Sequence, residues 1–296
     1  MIQRAAPLSD IGRAALWMLG AVASFSSMAL AGRAVSLSLD TFEIMTWRSV
    51  IGLAIVLILA GASGHLRRVR RQKLGLHMLR NVAHFTGQNL WFFAVATIPL
   101  AQVFALEFTT PIWALLLAAP ILGERITGRA ALAAAAGFVG VLIVARPSPE
   151  TLSPGVLAAA AAGIAFGLTA VLTRRLTRTE GITSILFWLT LMQAVMGLAM
   201  ALADGHMTLP GRTEAPFLLI IAVAGLTAHF CLTTALSLAP AGTVMPIDFL
   251  RLPLIAVLGM LVFAEPFDPV VLLGGALIFA ATYVTLARPA RVPQGD

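Results

Sequence analysis

Four side chains that could bind a solute recur at helical spacing in one apolar stretch. Steps of four, four and three residues place them on one face of a helix: Arg80, His84, Gln88 and Trp91. They offer a cation, hydrogen-bonding groups and an aromatic face that could stack on a flat solute. We expect His84 and Gln88 to line a cavity; hydrogen bonding between helices is the alternative.

Two acidic residues, Glu107 and Asp248, also lie inside apolar stretches, where a charge is costly. A carboxylate in a low-dielectric medium holds its proton more readily, so each could bind and release a proton. The alternative is a permanent ion pair with an arginine. Both interpretations stay open for Glu107, the proton-coupling candidate. Asp248 is expected to pair with Arg251, three residues further along the same helix face.

Arg251 is the cation placed deepest in an apolar stretch. Its planar guanidinium could donate paired hydrogen bonds to a carboxylate or to the carbonyl oxygens of a flat ring. We therefore predict a central solute site with seven candidate residues: His84, Gln88, Trp91, Glu107, His229, Asp248 and Arg251. Since His84 and His229 lack further ligands at a suitable spacing, the sequence predicts neither a metal nor a cofactor.

The composition places these residues in a membrane protein. Hydrophobic residues make up 59% of the 296 positions and charged residues only 11%, with a mean hydropathy of +0.94. A soluble domain of this length normally carries about a quarter charged residues, so the apolar surplus must face lipid. The bilayer is therefore one expected partner of the chain, and a small-molecule substrate is the other.

Apolar runs between polar breaks predict ten transmembrane helices, each long enough for a hydrocarbon core of roughly 30 Å. The predicted spans are residues 14–31, 44–60, 76–97, 101–122, 130–145, 155–172, 182–203, 216–237, 241–263 and 270–286.

The basic residues predict the orientation of these spans. Of the 20 Lys and Arg residues, only Arg33, Arg146 and Arg212 fall outside when both termini are cytoplasmic. Arg48, Arg80 and Arg251 lie within spans, although Arg80 could equally snorkel to the interface. The other 14 are cytoplasmic, which predicts a multi-pass protein of a bacterial-type inner membrane. The basic run at 67–73 favours anionic headgroups, and no nucleic-acid partner is expected.

An internal repeat appears when the sequence is shifted by 141 residues. The shift pairs residues of the same type: Phe25 with Phe166, Arg33 with Arg174, Trp47 with Trp188, and Glu124 with Glu265. It also pairs Glu107 with Asp248, and Gln88 with His229. The expected domains are two halves of five helices, residues 1–147 and 148–296. An odd number of spans per half inverts the second half, as in many secondary transporters.

Two segments carry a resemblance to a known family. The fourth span with its exit has TPIW at 110–113 and GER at 123–125, and its counterpart has LP at 252–253 and AEP at 264–266. These segments resemble the EamA module of the drug/metabolite transporter superfamily. The resemblance implies an all-α fold of ten transmembrane helices, arranged as two inverted five-helix repeats around a central cavity. RNVAHF at 80–85 and PIDFLR at 246–251 resemble a branch associated with riboflavin or amino-acid-like solutes.

The predicted function is secondary transport of small organic metabolites. The rival function is an integral-membrane enzyme acting on a lipid-soluble substrate, but the sequence has no His-Glu-x-x-His pair and no Gly-x-Ser-x-Gly elbow. A channel or scaffold is a third class. The substrate, the direction of transport, the driving ion and the oligomeric state stay open, a homodimer included.

Overall fold

The computed structural model describes residues 10–123, 126, 128–146, 148, 151–203, 207–238, 247–248 and 250–286. Within these ranges every regular element is a helix, which confirms the all-α prediction. Residues 241–246 and 249, in the first part of the predicted ninth span, lie outside the described residues.

Eleven α-helices of eight or more residues follow one another along the described chain. They are α1 Asp10–Val35, α2 Thr41–Ala62, α3 Leu74–Thr97, α4 Leu100–Glu107, α5 Thr110–Leu122, α6 Gly128–Ala145, α7 Pro154–Thr177, α8 Ile182–Ala201, α9 Ala215–Leu238, α10 Arg251–Phe263 and α11 Pro269–Leu286.

Six segments are long and apolar enough to cross a membrane, namely α1, α2, α4 with α5, α7, α8 and the first 18 residues of α9. Shorter apolar helices lie at Ala134–Ala145, Arg251–Phe263 and Pro269–Ala281. Helix α3 is not among the six because its polar side chains lower its hydropathy; they include His77, Arg80 and Gln88. The structure therefore supports a multi-pass membrane protein.

The 141-residue repeat recurs in the helix boundaries. Adding 141 to both ends of α3, Leu74–Thr97, gives the ends of α9. The same shift converts α5 into α10 and α6 into α11. The residues that follow α5 and α10 also match, because Gly123 and Ala264 both adopt the left-handed conformation. Each half therefore has the same local design.

The predicted fourth span is not one helix. Helix α4 ends at Glu107 and α5 begins at Thr110, so the backbone breaks at residues 108 and 109. Pro111 and Pro253, in the middle of the predicted fourth and ninth spans, lie in the first turns of α5 and α10. A proline is tolerated there because the N–H that it lacks would have no acceptor within the helix. Arg251 is accordingly the first residue of α10.

The helices of the two halves pack in reciprocal pairs. Helix α1 packs on α9, and its repeat counterpart α7 packs on α3. Helix α2 packs on its own counterpart α8, and α6 packs on α11. If each helix is replaced by its repeat counterpart, the same set of pairs results.

The second helix of each half holds a loop of the other half. In α2, Glu43 Oε1 accepts from the Thr208 N–H at 2.5 Å, and Trp47 Nε1 donates to the Thr208 carbonyl at 3.4 Å. In α8, Ser184 Oγ accepts from the Arg70 N–H at 2.9 Å and Trp188 Nε1 donates to the Arg70 carbonyl at 2.8 Å. Glu43 and Ser184 are 141 residues apart, as are Trp47 and Trp188, so the repeat has conserved the contact in both halves.

Arg33 links four helix ends. Its guanidinium donates to the carbonyls of Ala96 and Ile98 at the end of α3, at 3.2 and 2.5 Å, and to Glu265 Oε1 at 2.5 Å. Glu265 Oε2 accepts from the Leu100 N–H at 2.8 Å. The ends of α1, α3 and α10 and the start of α4 are thereby tied together.

Helices α6 and α11 cross with their backbones in contact. A Cβ atom at Gly140 would lie 2.8 Å from the Gly274 carbonyl oxygen, and one at Gly274 would lie 2.9 Å from the Gly140 oxygen. Only hydrogen atoms fit at this crossing, as in other small-residue helix contacts in membranes.

We predict that Gly140→Val lowers the thermal midpoint of the detergent-solubilised protein, because the added side chain forces α6 and α11 apart. Overpacking typically costs about 1 to 3 kcal/mol. The control is Gly75→Val, since nothing lies within 4 Å of a Cβ at Gly75. Equal midpoints for the two variants, measured by the loss of the monodisperse peak after heating, would contradict the close crossing.

Candidate functional site

The predicted polar stripe of α3 lies on a buried face. The exposed fractions are 5% for Arg80, 4% for His84, 6% for Gln88 and 2% for Trp91. The Arg80 guanidinium is hydrogen-bonded within the protein. Its Nε donates to Thr173 Oγ1 at 3.1 Å, and its Nη1 donates to Asn81 Oδ1 at 2.9 Å. Whether Arg80 serves a solute site or the interface stays a prediction.

A first polar group, the Arg251 group, consists of Arg251, Asp248, Glu107 and Trp91. Arg251 Nη2 donates to Asp248 Oδ2 at 2.6 Å, so the predicted ion pair is present. Arg251 Nη1 lies 3.4 Å from Glu107 Oε1. The indole of Trp91 donates to Glu107 Oε2 at 2.8 Å. Two carboxylates thus share one guanidinium, which leaves one negative charge in excess when all three are ionised.

Three phenylalanine rings surround the Arg251 guanidinium. Its Cζ lies 4.8 Å from the ring centroid of Phe25, 5.2 Å from that of Phe104 and 5.3 Å from that of Phe108. Cation–π contacts of this kind contribute most where water is excluded. Arg251 is therefore held by two carboxylates and three rings before any solute arrives.

The second polar group, the Arg48 group, consists of Arg48, Gln88, His84, His229 and Arg80. Arg48 on α2 is 8% exposed, and its Nη1 donates to Gln88 Oε1 at 2.8 Å. The charges of Arg48 and Arg80 both act on His84 and on His229. Among the described residues, no carboxylate oxygen lies within 4.0 Å of the Arg48 or Arg80 guanidinium. This group is rich in positive charge, unlike the Arg251 group.

A row of rings connects the two groups. The ring centroids of His84 and His229 lie 6.1 Å apart, and His84 is 5.9 Å from Phe166. At the other end His229 is 5.6 Å from Phe25, whose ring also faces Arg251. Phe25 and Phe166 are repeat partners, so both halves place an equivalent ring at the centre.

The structure places the seven predicted residues inside the protein but divides them between the Arg251 group and the Arg48 group. Glu107, Asp248 and Trp91 contact or neighbour Arg251, whereas His84, Gln88 and His229 lie with Arg48. The described contacts of Gln88 are with Arg48 and those of His84 are with Phe166 and His229, whereas Arg251 contacts Asp248 and Glu107. Their roles in solute binding remain predictions.

Sequence reasoning did not include Arg48 among the candidate site residues. Yet Arg48 lies within the second predicted span. The rule that an ionisable side chain inside a span is a functional candidate would have included it. No motif indicated that Gln88, not a carboxylate, would accept its hydrogen bond.

Known proteins resemble this chain over most of its length. The EamA-like transporter family matches twice, over residues 12–146 and 153–287. A riboflavin transporter of Brucella anthropi is 32% identical over 80% of this chain and 84% of its own length. An S-adenosylmethionine uptake transporter of Rickettsia felis is 24% identical over 90% of each chain. A pseudopaline exporter of Pseudomonas aeruginosa is 26% identical over 90% of this chain and 92% of its own.

One solved crystal structure shares the fold. It matches 93% of this chain and 96% of its own chain, with a TM-score of 0.63 and 20% identity. Together the matches confirm a membrane transporter of small metabolites and disfavour the membrane enzyme. Because the family matches each half separately and spans nearly all of the sequence, the chain belongs to the EamA-like transporter family.

Proposed function

We propose that this protein transports riboflavin, or a solute with the same flat, carbonyl-rich ring, across the inner membrane by alternating access. The proposal assumes ten spans in two inverted halves, residues 1–147 and 148–296, with the solute bound between them. Relatives from Brucella anthropi and Rhizobium johnstonii, each 32% identical, are named riboflavin transporters. Inverted repeats of this kind place their substrate sites near the midplane.

The observation that carries the proposal is the chemistry of the Arg48 group. Arg48 and Arg80 are buried donors without a described carboxylate partner, and Phe25 and Phe166 flank the two histidines. Riboflavin presents carbonyl oxygens on one edge of a flat aromatic ring system and carries no net charge. Guanidinium groups donate to such oxygens in the plane of the ring, while aromatic side chains stack on its faces.

The second candidate substrate is a cationic solute such as S-adenosylmethionine. Relatives with that name cover more of the chain but share only 23–26% identity with it. A sulfonium cation near Arg48 and Arg80 would meet two like charges in a medium of low dielectric. The carboxylates of Glu107 and Asp248 carry one negative charge more than Arg251 balances and could attract it, but a sulfonium would have to compete with the Arg251 guanidinium for both. The positive charge of the Arg48 group therefore favours a neutral or anionic solute.

Glu107 is the residue that we assign to proton coupling. It lies at the helix break, shares Arg251 with Asp248, and receives the Trp91 indole. Because the group has one carboxylate more than it has cations, protonation of Glu107 removes the excess charge without leaving Arg251 unpaired. A proton could thus change the strength of the contacts between α4 and α10.

The first prediction concerns the substrate. We expect purified protein in liposomes to take up riboflavin with saturable kinetics, and S-adenosylmethionine to compete at least about tenfold more weakly because of the charge of the Arg48 group. Uptake of each labelled compound is measured separately, with protein-free liposomes as the control. Saturable uptake of S-adenosylmethionine without uptake of riboflavin would reverse the assignment.

The second prediction concerns the driving force. Glu107→Gln keeps a side-chain oxygen that can accept from Trp91 or Arg251, but it removes the carboxylate that could bind and release a proton. We expect uptake driven by a pH gradient to fall about tenfold or more, whereas riboflavin binding persists. Asp10→Asn, on the exposed first turn of α1, is the matched control. If Glu107→Gln responds to the pH gradient as the parent protein does, Glu107 does not carry the proton.

The third prediction concerns orientation, which follows from the basic residues. Single cysteines at Gln72 and Ser148 in a Cys231→Ala background should be labelled from opposite sides, with Gln72→Cys accessible only from the cytoplasm. Cys231 is the only cysteine of the chain and is buried. Labelling of Gln72→Cys by an impermeant maleimide in intact cells would exclude cytoplasmic termini.

A further inference from the structure

A small cavity lies beside Arg48, between α2, α8 and α9. Polar residues and glycine line part of its wall: Arg48, Ser49, Thr190, Gln193, Gly225 and His229. Its volume of about 20 Å³ is enough for one or two oxygen-sized groups. It belongs to neither half alone, because α2 comes from the first half and α8 and α9 come from the second.

The lining of this cavity offers donors and lacks a described carboxylate. Gln193 is 1% exposed, and its Nε2 has no hydrogen-bond partner among the described residues. An amide donor left unsatisfied in a buried site is costly, so a ligand that accepts from it gains that energy. Thr190 uses its hydroxyl proton on the carbonyls of its own helix. Arg48 and Gln193 are therefore two donors that an incoming acceptor could use, beside Ser49 and His229 in the same lining.

Gly225 packs next to the Arg48 guanidinium. A Cβ atom there would lie 3.5 Å from Arg48 Nε and 3.5 Å from Nη2. Gly225 stands 141 residues after His84, so the repeat has a glycine where the first half has a buried imidazole. The repeat partner of Arg48 is Leu189, which also lines the cavity. The two halves thus differ in their chemistry at this cavity, which makes it suited to recognising one particular edge of a solute.

We propose that this cavity is the subsite for the carbonyl edge of the transported ring, with Arg48 and Gln193 as the donors that determine specificity. The inference rests on the proposed function. His229 lines the cavity and contacts Phe25, so a ring system that enters the cavity by its polar edge lies along the row of His84, His229 and Phe25. The ligand class is a flat heterocycle with two carbonyl oxygens on one edge.

The test is riboflavin binding by quenching of flavin fluorescence, on monodisperse protein in lipid nanodiscs. Arg48→Lys keeps the charge but loses the planar fork, and Gln193→Leu removes the second donor while leaving Arg48 in place. We expect each to weaken riboflavin binding about tenfold or more. Arg13→Gln, on the exposed part of α1, should bind as the parent protein does.

Two ligand analogues identify the edge that is bound. Riboflavin with a ring carbonyl replaced by thiocarbonyl is a poorer acceptor, so the parent protein should discriminate against it and the two variants should not. Lumichrome keeps the carbonyl edge but lacks the ribityl chain, and its binding should fall by the same factor as that of riboflavin in each variant. Loss of riboflavin binding alone would place Arg48 and Gln193 near the ribityl chain and overturn the inference.

The outcomes separate the inference from the proposed function. If the parent protein binds riboflavin and both variants bind it equally well, the subsite is wrong and the function stands. If the parent protein binds no riboflavin, the function fails and the inference fails with it. A small free anion is the other acceptor that would fit the cavity. If chloride competes with riboflavin at constant ionic strength, and competes equally well with the thiocarbonyl analogue, the cavity is assigned to such an ion.

Discussion

A guanidinium inside a membrane protein requires acceptors, and Arg251 meets this requirement in a way that connects both halves. Asp248 supplies one carboxylate from its own half, and Glu107 supplies the other from the end of α4. Because Glu107 and Asp248 are repeat partners, the central ion cluster joins equivalent sequence positions of the two halves. Glu107 is the last residue of α4, and its carboxylate contacts the first residue of α10.

The contacts around this centre also cross between the halves. Arg33 of the first half binds Glu265 of the second, and each second helix holds a loop of the other half through Trp47 or Trp188. The alternating access that we propose would require such contacts to break and reform while the helix pairs remain packed. Polar contacts at loops, each of them modest, can break and reform more easily than the backbone crossing of α6 and α11, because a direct contact between glycines cannot be loosened in small steps.

Much of the fold was predictable because it depends on local and periodic properties of the sequence. The apolar runs located the helices, and the 141-residue offset anticipated the shared boundaries of α3 and α9. The break after Glu107 was not predictable from hydropathy, since residues 101–122 are apolar apart from Gln102, Glu107, Thr109 and Thr110. The pair of Asp248 and Arg251 followed from their spacing. The pairing of Arg48 with Gln88 depends on how α2 and α3 pack, which spacing along the chain does not encode.

The division of the polar centre has a physical reason. A single cluster containing Arg48, Arg80 and Arg251 would need more acceptors than Glu107 and Asp248 provide. Separation by Phe25 lets the two carboxylates neutralise Arg251, while Arg48 and Arg80 rely on neutral acceptors such as Gln88. Neutral acceptors complete the hydrogen bonds of a guanidinium but do not balance its charge. The positive charge that Arg48 and Arg80 leave unbalanced is the reason why we propose that the Arg48 group, and not the Arg251 group, binds an oxygen-rich solute.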